Sequence, residues 1–287
     1  MPSVSRFRSI WGIPTGDNYE NWAKWFPTLK AQGYVGVEID FAPLTSLPTI
    51  RQIADSAGLE ISVLVHSKWP QYVGPKPLGL TPKVHLDGYR TQLEIAKALK
   101  PVLVNAHSGD DAWTVDEAVE FFEGTLAIDA ELGFAGKVHH ETHRNRAFYS
   151  PYLTAQVLGR VPKLRVTADI SHFVVVSERL LDEGPGDREL LNAIIPHVGH
   201  IHARIGTTQS SQCPDPTHEV FTAEREFFER VWKQIIEVTA KSEPITFVPE
   251  YGPFPYHPFG SATSFSDVAD SEGSRLQVLF EKWANSA

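Results

Sequence analysis

Eight short apolar runs, each followed by a segment with helical spacing, leave this chain few folds to adopt. They are 7–13 (FRSIWGI), 34–40 (YVGVEID), 59–67 (LEISVLVHS), 101–109 (PVLVNAHSG), 136–143 (GKVHHETH), 164–173 (LRVTADISHF), 199–206 (GHIHARIG) and 245–252 (ITFVPEYG). Runs of this length and residue type read as strands covered on both faces. Between them, Trp22, Trp25, Phe26 and Leu29 recur at helical spacing in the segment 17–33, with Gly33 as its stop. Thr114 and Glu117 form a capping-box pair, and Ser150 with Pro151 reads as an N-cap and first helical residue. Phe227, Phe228, Val231 and Ile235 line one face of 222–238, and a last helix is expected at about 272–285. Eight βα units in one chain predict an α/β fold, a (β/α)8 TIM barrel forming a single domain over 1–287. A doubly wound open sheet is the competitor, but no run leads into a G-x-G-x-x-G or P-loop turn.

Charge narrows the partners. The formal net charge is −9, from 35 acidic and 26 basic residues, which disfavours a nucleic-acid or anionic-membrane surface and leaves carboxylates for a cation. The single cysteine, Cys213, cannot close an internal disulfide, and no motif marks it as a nucleophile. No stretch has the apolar length of a signal peptide core or a membrane span, so a soluble cytoplasmic protein without a membrane partner is expected.

Where the runs end matters more than where they begin. They close on Glu38, His66, His107 (after Asn105), Glu141, Asp169 with His172, His202 and Glu250, while the first ends near Trp11, an aromatic wall for a pocket. In a parallel barrel the C-terminal strand ends form one rim, so these side chains converge. Any one of them alone has a plain reading as a hydrogen-bonded loop residue. Several carboxylates converging with few lysines or arginines call for a cation, because buried carboxylates must be paired.

The Glu of HHETH, the DISH pattern, the His-x-His of HIHARIG and the Glu of VPEYG occur in that order. In this the chain resembles the xylose isomerase-like TIM-barrel superfamily, which includes sugar isomerases, ketose 3-epimerases and endonuclease IV. The resemblance spans nearly the whole chain. It implies Glu141, Asp169, His202 and Glu250 as ligands of one divalent ion (Mn, Mg, Zn or Co), with no organic cofactor. It also implies Glu141 and Glu250 as the acid–base pair of a sugar isomerase or epimerase, with His200 structural or behind the ligands. Around them His66, His107, His172, Arg204 and Trp11 are candidate contacts for a small sugar-like substrate, His172 orienting its oxygens and Arg204 neutralising an oxyanion. The epimerases' arginine six residues past the ligand His is Thr208 here, so the substrate grip must differ.

Other readings compete. Elimination on a keto-sugar uses the same chemistry. The endonuclease IV branch implies a multinuclear zinc phosphodiesterase, with His66 and His107 as added ligands and Asp215 and His218, spaced one residue too long, as a further pair. A barrel that binds a metabolite without turnover is the non-enzymatic reading, and a homo-oligomer is left open. Strand alternation puts His139 and His143 on the face of Glu141 and His140 toward the helices. Arg144 and Arg146 read as solvated loop charges beyond the rim, and the loop 206–219 suits a lid.

Overall fold

A computed structural model describes residues 4–13, 19–41, 46–72 and 74–286. Eight parallel strands close into a barrel in sequence order: β1 (Val4–Ser9), β2 (Gly36–Asp40), β3 (Glu60–His66), β4 (Leu103–His107), β5 (Val138–Glu141), β6 (Val166–Ala168), β7 (Val198–His202) and β8 (Ile245–Val248). The seam joins β1 to β8 through Val4↔Ile245, Ser5↔Thr246 and Arg6↔Phe247. The helices are α1 (Tyr19–Ala31), α2 (Leu47–Ala57), α3 (Pro82–Ala96), α4 (Val115–Leu132), α5 (Pro151–Arg160), α6 (Ile170–Ser177), α7 (Pro185–Ile194), α8 (Thr222–Thr239) and α9 (Phe265–Ala284). The predicted TIM barrel is therefore the fold.

Alternation along the strands divides apolar from polar. Val37, Ile39, Ile61, Val63, Val65, Val104 and Ala106 join one buried cluster with Trp22, Phe26, Leu29, Ile50, Ala54 and Leu93 of the helices. The intervening residues, among them Glu38, Ser62, Asn105, His107, Glu141 and Thr167, are also buried. With period two, they face the barrel interior.

On β7 a bulge keeps this phase. Val166 pairs with Val198, but Thr167 pairs with His200 and Ala168 with Ile201, which makes Gly199 the extra residue. A Cβ at Gly199 would stand 2.4 Å from Arg165 Nη2 and 2.6 Å from His139 Cε1, so only glycine fits. The bulge turns both His200 and His202 inward.

Several element boundaries differ from the sequence reading. Strand β1 begins at Val4, and Trp11 lies in the turn after it. The run 164–173 is a strand only over Val166–Ala168; Asp169 then caps α6, whose first turn carries His172. Asp169 accepts from Ser171 N at 3.0 Å, and this cap ends the strand. The last helix starts at Phe265 rather than near 272, because Ser264 accepts from Asp267 N at 3.1 Å and begins it earlier. Asp17 and Asn18, at the start of the segment 17–33, lie outside the described residues.

Candidate functional site

The strand ends bring together the four residues that the family pattern singles out. Ligand-capable atoms of Glu141, Asp169, His202 and Glu250 all lie within 4.8 Å of one another, and all four residues are buried. Two backbone devices hold them. Thr142 Oγ1 accepts from Asp169 N at 2.9 Å and donates to Asp169 O at 2.9 Å, clamping the ends of β5 and β6. Asp169 divides its carboxylate: Oδ1 caps α6 through Ser171, while Oδ2 pairs with Arg204.

Glu38, from the far side of the barrel, sits behind His202 with Oε1 3.1 Å from Nε2 and also lies beside His200. His200 is thereby placed behind the cluster, its Nδ1 2.6 Å from Thr246 Oγ1. On the other edge of His202, Nδ1 stands 3.2 Å from Glu250 Oε2 and 3.6 Å from Glu141 Oε2, without hydrogen-bond geometry to either. Burial disfavours the His202 imidazolium, yet Glu250, Glu38 and Glu141 outweigh it and raise its pKa well above the ordinary value. Burial likewise opposes ionisation of Glu141 and Glu38, but the facing histidines hold Glu141 well below the usual range and Glu38 at about 2. Asp169 goes the other way: burial, with Glu250 and Glu141 adding to it, pushes it up to about 6 despite Arg204.

These residues fit a divalent cation. Glu141 Oε1 and His202 Nδ1 are buried polar atoms with no hydrogen-bond partner, and both belong to the four-residue group. Buried polar atoms without a partner are rare in native structures, and three carboxylates with one imidazole suit a hard or borderline ion. An ion at His202 Nδ1 would displace the proton that the surrounding carboxylates favour on that ring, with Glu38 Oε1 3.1 Å from Nε2 on the opposite edge.

A second group shares Glu141. His107 Nε2 is 2.8 Å from Glu141 Oε2, and Asn105 Nδ2 donates to the same oxygen. Tyr72 fixes the tautomer of His107. Its hydroxyl accepts from Arg146 Nε at 3.0 Å and can donate to His107 Nδ1 at 3.0 Å, so His107 Nε2 carries the hydrogen bound to Glu141. His143 stacks on Tyr72 with ring centroids 5.1 Å apart, and its Nδ1 lies 2.6 Å from Arg144 O, where it donates. His107, Glu141 and His143 also bring ligand-capable atoms within 4.8 Å of one another. His66 packs edge-on against His107 at 4.8 Å with Nδ1 unpartnered. Burial holds His66, His143 and His172 well below the ordinary imidazole range, so they are neutral.

The arginines depart from expectation. Arg146 is 1% exposed, not a solvated loop charge: it donates to Lys68 O and Trp69 O and orders the turn that carries Tyr72. Arg144 donates to His172 Nδ1 at 3.1 Å and Ser211 Oγ at 3.2 Å. Arg204 is spent within the cluster, pairing with Asp169, lying 3.3 Å from Glu250 Oε2 and 3.1 Å from His172 Nε2. Trp11 closes one side, edge-on to Tyr256 at 4.9 Å. A Cβ on Gly252 would come within 2.0 Å of the Trp11 ring, so that glycine lets the indole lie against the chain just past Glu250.

The loop 206–219 folds back into the barrel. Gln212 exchanges hydrogen bonds with the backbone of Gly252, and Cys213 N donates to Ile205 O. Asp215 and His218 do not join the site. They are exposed, Asp215 accepting from Thr217 and His218 from Val220 N. Glu38 stood among the strand-end residues but was assigned no role, and Tyr72, Arg144 and Arg146 were not expected at the site. The end of YVGVEID held a signal for Glu38, but nothing local marks the other three.

No family model and no curated protein matches the chain. Solved structures do, at low identity. A sugar phosphate isomerase/epimerase from Parabacteroides distasonis matches at 14% identity and TM-score 0.62, over 96% of this chain and 94% of that one. Endonuclease IV from Thermus thermophilus matches at 16% identity and TM-score 0.57, over 99% of each chain. A probable 3-DHS dehydratase from Bacillus anthracis matches at 13% identity and TM-score 0.57, over 95% of this chain and 98% of that one. Three reaction classes on one scaffold leave the chemistry to the site. What the chain shares with these structures is the fold, the closed (β/α)8 barrel.

Proposed function

We propose that this protein is a divalent-metal-dependent enzyme that moves a proton α to a carbonyl, isomerising or epimerising a sugar or sugar-like polyol. The observation that carries this reading is the meeting of Glu141, Asp169, His202 and Glu250 at one point, with Glu141 Oε1 and His202 Nδ1 unpartnered. These four would hold the ion, which when bound would polarise a carbonyl and acidify the neighbouring C–H.

The chain's own groups supply the rest. Glu141 and Glu250 come from β5 and from beyond β8, on different sides of the rim, so one can take the proton and the other return it on the opposite face. His107 and Asn105 both bond Glu141 Oε2, which fixes the carboxylate and leaves Oε1 free for the reacting side. Arg204 pairs with Asp169 and Glu250 and so holds both carboxylates in place. Trp11 and Tyr256 wall the site from bulk water.

Elimination is the second reading, favoured by His143. Its Nδ1 hydrogen is held by Arg144 O, which leaves Nε2 to receive or deliver a proton beside His172, 3.9 Å away between ring centroids. A hydroxyl β to the carbonyl could then leave as water after the same α-proton is removed. The phosphodiesterase reading loses support with Asp215 and His218 tied into their own loop.

Solvent-deuterium uptake into ketoses and keto-sugars, with Mn²⁺, Mg²⁺ or Zn²⁺ added, tests the proposal. Exchange at the carbon next to the carbonyl is expected in the wild type, falling at least ~100-fold in Glu141→Gln and Glu250→Gln. Undiminished exchange in both variants would exclude the two-glutamate chemistry. Loss of ion binding in the same variants, by calorimetry, separates the ligand role from the proton-transfer role.

A further inference from the structure

Among the described residues Arg144 has no carboxylate partner. The two neighbouring arginines are engaged: Arg204 by Asp169 and Glu250, Arg146 by two backbone carbonyls and the Tyr72 hydroxyl. Arg144 spends Nε on His172 Nδ1 and Nη2 on Ser211 Oγ, neither of them an anion, and among the described residues its Nη1 makes no hydrogen bond. Those two contacts fix the guanidinium. It is half-buried and lies against the Tyr256 ring, 5.7 Å from its centroid, beside the Arg204 face of the same ring at 5.0 Å. His172 separates the two arginines: its Nδ1 receives Arg144, while Nε2 lies 3.1 Å from Arg204 and 3.5 Å from Asp169 Oδ2. Arg144 is thus one imidazole width from the carboxylate cluster, a spacing that a sugar-sized molecule spans.

An immobilised, half-buried guanidinium without a counter-ion is a recognition element for an anion. Its burial without a partner costs free energy, which an arriving carboxylate would recover. We infer that the substrate is a keto-sugar acid rather than a neutral sugar, its carboxylate bound by Arg144 while its carbonyl end sits at Glu141 and Glu250. A single planar fork with one serine hydroxyl nearby suits a carboxylate better than a phosphate dianion, because the two neighbouring arginines, Arg146 and Arg204, are already engaged. The inference rests on the proton-transfer reading for the carbonyl end, but not for the anion contact.

Binding of 5-keto-D-gluconate, D-fructose and D-fructose 6-phosphate to the metal-loaded full chain is measured by calorimetry, with deuterium uptake run in parallel. The keto acid is expected to bind at least about tenfold more tightly than D-fructose, and Arg144→Gln to erase that margin by weakening the keto acid far more than D-fructose. Arg144→Lys, which keeps the charge and loses the fork, should retain part of the margin and guards against a glutamine variant that fails to fold. Equal binding of all three, tighter binding of the phosphate, or no binding of the keto acid overturns the inference. So does equal weakening of neutral and acidic ligands by Arg144→Gln, since Arg144 would then only balance the acidic cluster. If the keto acid binds through Arg144 but no ligand exchanges deuterium, the carboxylate contact stands and the proton-transfer reading falls. If D-fructose exchanges and binds as well as the keto acid, the reverse holds.

Discussion

Glu38 illustrates how a residue can govern a site without standing in it. It is 3% exposed, reaches His202 Nε2 at 3.1 Å and receives Ser62 Oγ at 3.3 Å. Its carboxylate lies against the Nε2 edge of His202, opposite the Nδ1 that faces the cluster, and so bears on how that ring is held for a cation. Glu38→Gln keeps the shape and removes the negative charge that stands behind the His202 ring. Affinity for Mn²⁺ or Zn²⁺ is expected to fall roughly 10–100-fold with little change in fold, read by metal titration and circular dichroism. Unchanged affinity would mean that Glu38 only fills space. The sequence placed Glu38 at a strand end but could not tell this role from a loop salt bridge, because its partner lies five strands away in order. The same limit hid Arg146, whose acceptors lie 77 and 78 residues away in sequence.

At the scale of elements, local signals and tertiary ones part company. The Thr114–Glu117 capping box and the Ser150 cap are present where the sequence put them, since both depend on residues three apart. The DISH run was misassigned because Asp169 serves two elements, and its capping role outweighs the β-rich residues after it. Between α3 and α4 lies a contact that no local pattern marks: Tyr89 Oη donates to Asp129 Oδ1 at 2.6 Å, both residues buried. Burial pushes the Asp129 carboxyl up to about 7, only partly offset by that hydrogen bond. A carboxyl raised above its unfolded value near 3.9 binds more protons in the folded state, so its contribution favours folding at low pH and is lost as pH rises toward 7. Removing the other titrations by comparison, Asp129→Asn should be more stable relative to wild type at pH 8 than at pH 5. The difference should be on the order of 2–3 kcal/mol, measured by urea unfolding at the two pH values. A pH-independent difference would show that Asp129 is charged in the folded protein throughout.

For the molecule as a whole, the rhythm of eight runs was legible because each strand must be apolar toward the helices, and the rim followed because parallel strands all end on one side. Convergence of Glu141, Asp169, His202 and Glu250 could be anticipated from order along the chain; their spacing could not, since it depends on barrel closure and on the bulge at Gly199. Closure itself depends on α9, which begins before the stretch expected. Arg8 of β1 is fully buried and donates to Asp270 Oδ1 at 2.9 Å and Ser266 Oγ at 2.8 Å, while Tyr34 Oη donates to the same Asp270 oxygen at 2.7 Å. One carboxylate of the last helix thus fastens the first strand and the segment entering the second, next to the β1–β8 seam. Asp270→Ala would leave a buried guanidinium without its counter-ion and a phenol without its acceptor. The expected cost is about 2–3 kcal/mol, moderated because the Asp270 side chain is 34% exposed and water can partly replace it. Metal affinity at the opposite end of the strands should change by less than about twofold if the barrel closes as a rigid unit. Thermal unfolding and metal titration of the same variant check both parts. A stable variant would mean that apolar packing of Leu276 and Phe280 suffices to hold α9, and a stable variant with weakened metal binding would mean that the seam reaches the rim.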